Sequence, residues 1–126
     1  MTRGMIVTVL ARFEGVDTTT GSTWYEAGRQ WAMANGVSDG TNMDQSLTRE
    51  QLATMLYRYA GSPTVSGSLS GYTDVGNVSS WASDAMIWAV ESGLINGMGG
   101  GILAPQGIAT RAQVATILMR FLQTGA

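Results

Sequence analysis

The sequence predicts an all-α fold of five helices, and three observations support this. Apolar residues recur at helical spacing in five segments. A threonine precedes three of these segments, where its hydroxyl can cap a first helical turn. Glycine follows the other two, as it does at many helix C-termini. With 126 residues, 44% of them apolar, the chain has the size of one domain and enough apolar surface for a core.

Three long amphipathic helices are expected, each opening with Thr-Arg. Their apolar stripes are Met5, Ile6, Val9, Leu10 and Phe13; Leu52, Met55, Leu56 and Tyr59; and Val114, Ile117, Leu118 and Phe121. Thr48 with Gln51, and Thr110 with Gln113, have the spacing of capping boxes. Met5 replaces the glutamine in the first segment, so only Thr2 can cap there.

Two shorter helices are expected between them. Trp24, Ala27, Gly28 and Trp31 form the first, and Trp81, Ala85, Trp88 and Ala89 repeat it further along the chain. We expect Trp24 and Trp81 to begin these helices, and Gly36 and Gly93 to follow their C-termini. The repetition divides the chain into residues 1–16, the second half of a repeat; 17–61, a full repeat; 62–71, a Gly/Ser linker; and 72–126, a full repeat. Together these segments should form one compact domain.

Composition excludes several classes of function. Cysteine and histidine are absent, which rules out thiolate chemistry, Ser-His nucleophiles and the usual zinc sites. The formal net charge of −2 argues against a nucleic-acid partner, and no apolar run is long enough for a transmembrane segment. No signal peptide is recognisable, so the chain is expected to be cytosolic or a piece of a longer exported protein. No cofactor or metal is expected.

The arginine beside each capping threonine is the strongest functional signal. Arg3, Arg49 and Arg111 stand at the first helical position, where the helix dipole disfavours a cation. One interpretation is an anion site, in which the guanidinium acts with free N–H groups of the helix N-terminus. The other is pairing with an internal carboxylate such as Asp17 or Asp74. The residues alone favour neither.

The tryptophans and aspartates are also ambiguous. Helical spacing is typical of core tryptophans, yet Trp24 and Trp81 stand at helix starts, where an exposed indole can stack on a sugar ring. Asp17 and Asp74 precede them by seven residues and could accept hydrogen bonds from sugar hydroxyls or cap a turn. The glycine-rich run 97–101 is interpreted as a flexible turn, because it lacks the lysine of a phosphate loop. The spacing of Asp39, Asn42 and Asp44 does not fit an EF-hand loop.

The ordered motifs resemble the S-layer homology domain family across nearly the whole chain. The family pattern is an early Asp, Trp-Ala-x-x-Ala, Gly-x-x-x-Gly, a Pro and Ile-Thr-Arg-Ala-Glu before a helix. The last repeat matches it at Asp74, Trp81–Ala85, Gly93–Gly97, Pro105 and Ala109–Gln113. The middle repeat matches it at Trp24–Ala27, Gly36–Gly40 and Leu47–Gln51.

The resemblance implies a non-catalytic anchoring module of the bacterial cell surface, extracellular and part of a longer protein. Three repeats of this family pack as a pseudo-threefold helical bundle whose grooves hold peptidoglycan-linked polysaccharide, often capped by a pyruvate ketal. It implies that Arg3, Arg49 and Arg111 contact the pyruvyl carboxylate, with Trp24, Trp81, Asp17 and Asp74 as further ligand contacts. Here the first repeat lacks its Asp-Trp half, and Gln51 and Gln113 replace the usual glutamate.

Two other functions compete with this interpretation. The truncated first repeat could leave apolar surface exposed, so the chain could bind a host or partner protein or associate with itself as a homo-oligomer. An enzyme, for instance a glycosidase with two carboxylates, is disfavoured because no pair of acids is set by spacing. Competition by pyruvylated sugar separates the first two functions, and a glycan cleavage assay tests the third.

Overall fold

The computed structural model describes residues 2–69, 71–95 and 102–123, and in these the prediction of an all-α fold is confirmed. The described residues form five α-helices and no strand. The helices are α1 (Arg3–Phe13), α2 (Glu26–Ala34), α3 (Arg49–Tyr59), α4 (Ser83–Glu91) and α5 (Arg111–Gln123). Two single turns of 3-10 helix, Val75–Asn77 and Ser80–Ala82, precede α4.

The chain divides into two units, Met1–Leu47 and Thr48–Ala126. Each unit begins with a Thr-Arg helix and continues with a tryptophan-containing helix. The division falls inside the predicted repeat 17–61, between its tryptophan helix and its Thr-Arg helix. The predicted repeat boundaries and their union in one compact domain stay predictions. Residues 62–69 of the predicted linker contain no helix, and the glycine run 97–101 lies outside the described residues.

In the first unit, α2 packs closely on α1. A Cβ atom at Gly28 would lie 2.9 Å from both the Cα and the N of Thr8, so the two backbones nearly touch. A Cβ atom at Gly4 would lie 3.2 Å from Cη2 of Trp24. Gly4 contacts Trp24 and Thr8 contacts Gly28, so residues later in α1 contact residues later in the second segment. The two helices therefore run in the same general direction.

In the second unit, α4 packs on α3 in the same order along the chain. Glu50 contacts Ser79 near the start of α3, and the rings of Tyr57 and Trp88 lie 5.6 Å apart further along. Helix α5 joins this core through Phe121, whose ring contacts both Tyr59 and Trp88. None of the helices in the described parts of the chain has the length and apolar character needed to cross a membrane.

The predicted caps are confirmed. Both predicted boxes form with reciprocal bonds, Thr48 with Gln51 and Thr110 with Gln113. Thr2 accepts a single bond from the N–H of Met5 at 3.3 Å. Gly36 and Gly93 follow the C-cap residues of α2 and α4 and adopt φ values of +70° and +73°, as left-handed C-terminal glycines do.

The expectation that Trp24 and Trp81 begin their helices is wrong by two residues. Helix α2 begins at Glu26, and Trp81 lies in the 3-10 turn before α4. Before each helix the chain forms a turn of the 3-10 type, which is tighter than an α-helical turn because its hydrogen bond joins residues three apart. The Glu26 N–H donates to the Thr23 carbonyl, and the Ala82 N–H donates to the Ser79 carbonyl. Both tryptophans therefore lie outside the regular helix.

Replacing Gly28 by Ala is expected to destabilise the first unit by about 1–2 kcal/mol. The added methyl group would force the backbones of α1 and α2 apart, and overpacking of this kind costs about 1–3 kcal/mol. This cost exceeds the gain of at most about 1 kcal/mol in helix propensity. Urea unfolding measures the difference. Gly76→Ala is the control, because a Cβ atom there meets nothing within 4 Å; equal stabilities of the two variants would contradict the prediction.

Candidate functional site

The guanidinium of Arg3 keeps unused hydrogen-bonding capacity. Its Nη2 lies 3.3 Å from Oδ1 of Asp39, and its side chain is 16% exposed. The Nε atom is buried and has no hydrogen-bond partner among the described residues. A buried N–H without a partner is unfavourable, so a ligand that supplies an acceptor here would gain from it.

An exposed indole lies beside the same helical turn. Trp24 contacts α1 at Gly4, the residue that follows Arg3, and 53% of its surface is exposed. Its ring meets that of Tyr25 edge-on, with 5.2 Å between the centroids. Of the residues proposed from the sequence, Arg3 and Trp24 therefore both lie at the first turn of α1. We call this place the α1 site, defined by Arg3, Trp24 and Asp39.

A polar cleft of about 560 Å³ adjoins the α1 site. Tyr25 and Met43, which both contact the first turn of α1, lie in its wall. Arg29 spans the cleft, donating from Nε to the Gly40 carbonyl at 2.8 Å and from Nη1 to Glu26 at 2.9 Å. The full lining is Ser22, Thr23, Tyr25, Glu26, Arg29, Gly40, Asn42, Met43, Asp44 and Gln45. Such a wall suits a ligand rich in hydroxyl groups.

The main-chain donors at the starts of α1 and α3 are already used, which corrects the premise that they are free for an anion. In α1, Arg3 N–H donates to the Gln45 carbonyl at 3.0 Å and Gly4 N–H to the Met43 carbonyl at 2.8 Å. In α3, Arg49 and Glu50 donate in the same way to the carbonyls of Gly107 and Pro105, both at 2.9 Å. In each case the acceptors lie in the loop that leads to the next Thr-Arg segment.

Arg49 lies in the interior of its unit. It is only 4% exposed, and its Nε donates to the Leu103 carbonyl at 2.9 Å. Burial lowers the pKa of the Arg49 guanidinium, although an arginine with so high an ordinary value stays charged at neutral pH. Arg49 therefore attaches the loop before α5 to the first turn of α3.

The three aspartates near these sites have different partners. Asp74 accepts from the N–H groups of Leu103 and Ala104, both at 2.9 Å, and the Leu103 bond in particular lowers the pKa of Asp74. Asp17 accepts from the hydroxyl and N–H of Thr19, and these bonds lower its pKa. Asp39, rather than Asp17 or Asp74, is the carboxylate that meets Arg3.

Asp39 and Glu50 are contacts that the sequence analysis missed. Asp39 accepts from the N–H and hydroxyl of Thr41, which lowers its pKa, and it turns the loop back toward α1. The pattern of an aspartate two residues before a threonine is a signal for such a turn. Glu50 is 3% exposed and accepts from both the N–H of Ser79, at 2.9 Å, and its hydroxyl, at 2.7 Å.

Trp81 and Arg111 are the accessible candidates of the second unit. Trp81 is 55% exposed and follows the Ser79 turn that Glu50 holds. Arg111 is exposed, and within the described residues its guanidinium has no partner. The N–H groups of Arg111 and Ala112 also donate to nothing in that part of the chain, in contrast to those at α1 and α3. The structure thus separates the three arginines into one half-buried, one buried and one exposed.

Comparison with known proteins gives one family and several relatives. Residues 71–115 match the model of the S-layer homology domain. The chain is 32% identical over 108 residues to the exoglucanase XynX of Acetivibrio thermocellus and 29% identical over 108 residues to the amylopullulanase of Thermoanaerobacterium thermosulfurigenes. It is also 31% identical over 98 residues to cell surface glycoprotein 1 of Acetivibrio thermocellus.

These alignments cover most of this chain and little of the relatives. They span 79%, 79% and 75% of the chain, but only 10%, 6% and 4% of the respective relatives. The similarity therefore extends over more of the chain than residues 71–115, and it concerns a small segment of each much longer protein.

Proposed function

We propose that this chain, whose residues 71–115 belong to the S-layer homology domain family, is a non-catalytic module that anchors a longer protein to the bacterial cell surface. Its ligand is an anionic, pyruvylated secondary cell-wall polysaccharide linked to peptidoglycan. The module acts outside the cell, as part of an exported protein. The name of one relative, cell surface glycoprotein 1, supports this location.

The α1 site is the observation that carries the proposal. A pyruvyl carboxylate offers two oxygens in a plane, which suits the donor fork of an arginine. Arg3 has a buried Nε without a partner in the described residues and only a long contact to Asp39. The indole of Trp24, which contacts α1 at Gly4, can stack on the apolar face of a sugar ring. The adjoining cleft can hold the sugar hydroxyls.

The other proposed residues divide into contacts and supports. Arg111 is a second anion contact, because its guanidinium is exposed and the N–H groups of its helical turn are available among the described residues. Trp81 is a second stacking surface. Arg49 and Asp74 shape the loop before α5 through Leu103, and Asp17 shapes its own turn. These three act on the ligand through the backbone that they hold.

Catalysis is not part of the proposal. The sequence has no cysteine or histidine to act as nucleophile or base near neutral pH. In the cleft, Glu26 is engaged by Arg29 at 2.9 Å. The exoglucanase and amylopullulanase names belong to relatives of which this chain covers a tenth or less, so they bear on those proteins and not on this module.

Isothermal titration calorimetry with pyruvylated and non-pyruvylated cell-wall glycan tests the proposal. We expect binding of the pyruvylated form and a loss of about 10- to 100-fold in affinity for Arg3→Ala, as removal of a charge-assisted hydrogen bond predicts. Arg58→Ala is the matched control, because Arg58 is exposed and its guanidinium has no hydrogen-bond or ion-pair partner in the described chain. Equal binding of both glycans would refute the carboxylate contact, and binding of neither would refute the anchoring function.

A further inference from the structure

The ion pair between Arg3 and Asp39 is weak. One nitrogen of the guanidinium, Nη2, lies 3.3 Å from one carboxylate oxygen, Oδ1, whereas a strong charge-assisted hydrogen bond spans roughly 2.7–2.9 Å. The Asp39 side chain is 69% exposed, and ion pairs that are open to water contribute little to stability. Arg3 can therefore turn away from Asp39 at a small cost in free energy.

Asp39 is held in place by bonds that do not involve Arg3. Its Oδ1 also accepts from the N–H of Thr41 at 3.0 Å and from the Thr41 hydroxyl at 2.7 Å. The next residue, Gly40, is attached to α2, because its carbonyl accepts from Nε of Arg29 at 2.8 Å. The hydroxyl and N–H of Thr41 lower the pKa of Asp39, so its carboxylate is ionised at neutral pH. A negative charge therefore stays beside the guanidinium even when Arg3 binds another anion.

A carboxylate on a ligand has to compete with Asp39 for Arg3. The ligand can bond both to Nη2 and to the buried Nε, which has no partner among the described residues. To do so it replaces Asp39 at Nη2 and then lies near a fixed charge of its own sign, which is unfavourable. A neutral sugar meets neither cost. The residues that create this competition all belong to the first unit.

We propose that Asp39 is an internal competitor for the anion site at Arg3 and determines how strongly the module distinguishes a charged glycan from a neutral one. This inference rests on the function proposed above. Asp39 lowers the affinity for a pyruvylated glycan and leaves the affinity for a non-pyruvylated glycan unchanged. Its removal therefore strengthens binding, whereas removal of a ligand contact, or of a residue that orients Arg3, weakens binding. The sign of the change in affinity separates these roles.

Isothermal titration calorimetry of Asp39→Asn tests the proposal. Asparagine keeps Oδ1 as an acceptor for both bonds from Thr41 and removes the charge. We expect the affinity for the pyruvylated glycan to rise by about 3- to 10-fold and that for the non-pyruvylated glycan to stay the same. Asp84→Asn is the control, because it removes the same charge from α4, where Asp84 has no hydrogen-bond or ion-pair partner among the described residues. Weaker or unchanged binding of the pyruvylated glycan by Asp39→Asn, an equal gain for the neutral glycan, or the same gain in Asp84→Asn would overturn the proposal.

A second measurement does not require the glycan. The Nε–H signal of Arg3, assigned in NMR spectra by its loss in Arg3→Lys, is followed while sodium pyruvate is added to the wild type and to Asp39→Asn. We expect the signal to respond at an about 3- to 10-fold lower pyruvate concentration in Asp39→Asn. If neither protein binds either glycan, the function proposed above fails, while this titration still tests the role of Asp39. Equal responses in the two proteins, or no response in Asp39→Asn, would contradict that role.

Discussion

Replacing Arg49 by Met is expected to lower the free energy of unfolding of the second unit by about 2 kcal/mol, the usual cost of removing a buried hydrogen bond with a charged partner. Methionine keeps the length and much of the packing of the arginine stem. The loss includes the bond from Nε to the Leu103 carbonyl, which then remains buried without that donor. Guanidinium chloride unfolding, followed by tryptophan fluorescence, measures the change.

Arg58→Met is the matched control for this substitution. Arg58 lies in the last turn of the same helix and is exposed, and its guanidinium makes no hydrogen bond or ion pair among the described residues. Its replacement should change the free energy of unfolding by less than about 0.5 kcal/mol. If Arg49→Met were as stable as Arg58→Met, the buried position of Arg49 would have no energetic consequence, and Arg49 could again be considered a direct ligand contact.

The difference in burial between the side chains of Arg3 and Arg49 could not be predicted from the sequence. Both follow a capping threonine, and both have their main-chain N–H groups bonded to a following loop. Their side chains differ because of residues 36 and 54 positions away: Asp39 meets Arg3, whereas Leu103 accepts from Arg49. Spacing along the chain predicts helices and caps, which are local, but not which loop returns to a given helix start.

The presence of the helices, the threonine caps and the glycines that follow α2 and α4 were predictable for the same reason, whereas the starts of α2 and α4 were predicted two residues too early. Apolar periodicity, the Thr-x-x-Gln boxes and the glycines after α2 and α4 each act within a few residues, and all appear in the structure. The sequence left open whether Asp17 and Asp74 cap a turn, and the difference between them was not predictable, because they occupy matching positions in the repeats. Asp74 holds Leu103 and Ala104, about thirty residues away, while Asp17 bonds only to its own turn. Thr41 stands seven residues before Thr48, as Leu103 does before Thr110. In the first unit, the N–H of Thr41 donates to Asp39 and not to Asp17.

The residue after each arginine distinguishes the three Thr-Arg helices. It is Gly4 in α1, Glu50 in α3 and Ala112 in α5. Without a side chain at position 4, Trp24 and Tyr25 can approach α1, and the polar cleft forms beside them. At the matching place in α3 the Glu50 carboxylate bonds to Ser79. One position thus decides whether the space at the helix start is open or filled by the protein itself.

Glu50→Ala is therefore expected to have the largest effect on stability, a loss of about 2–4 kcal/mol, because two hydrogen bonds to a buried carboxylate disappear together. The N–H of Ser79 loses its acceptor, and the turn that carries Trp81 loses its attachment to α3. Ser79→Ala removes only the hydroxyl bond and should cost about 1 kcal/mol. Chemical unfolding of the wild type, both single variants and the double variant gives the coupling energy.

This cycle distinguishes a specific attachment from a loss of packing. If Glu50 acts through Ser79, the double variant should be less destabilised than the sum of the single variants, by about 1 kcal/mol or more. Additive effects would mean that the bond from the Ser79 hydroxyl contributes no coupling energy, and that Glu50 acts through the Ser79 N–H or through its volume. Since Glu50→Gln keeps the volume and one acceptor, it should lie between the wild type and Glu50→Ala. A glutamine variant as unstable as the alanine variant would show that the negative charge, and not the acceptor geometry, fixes the turn beside Trp81.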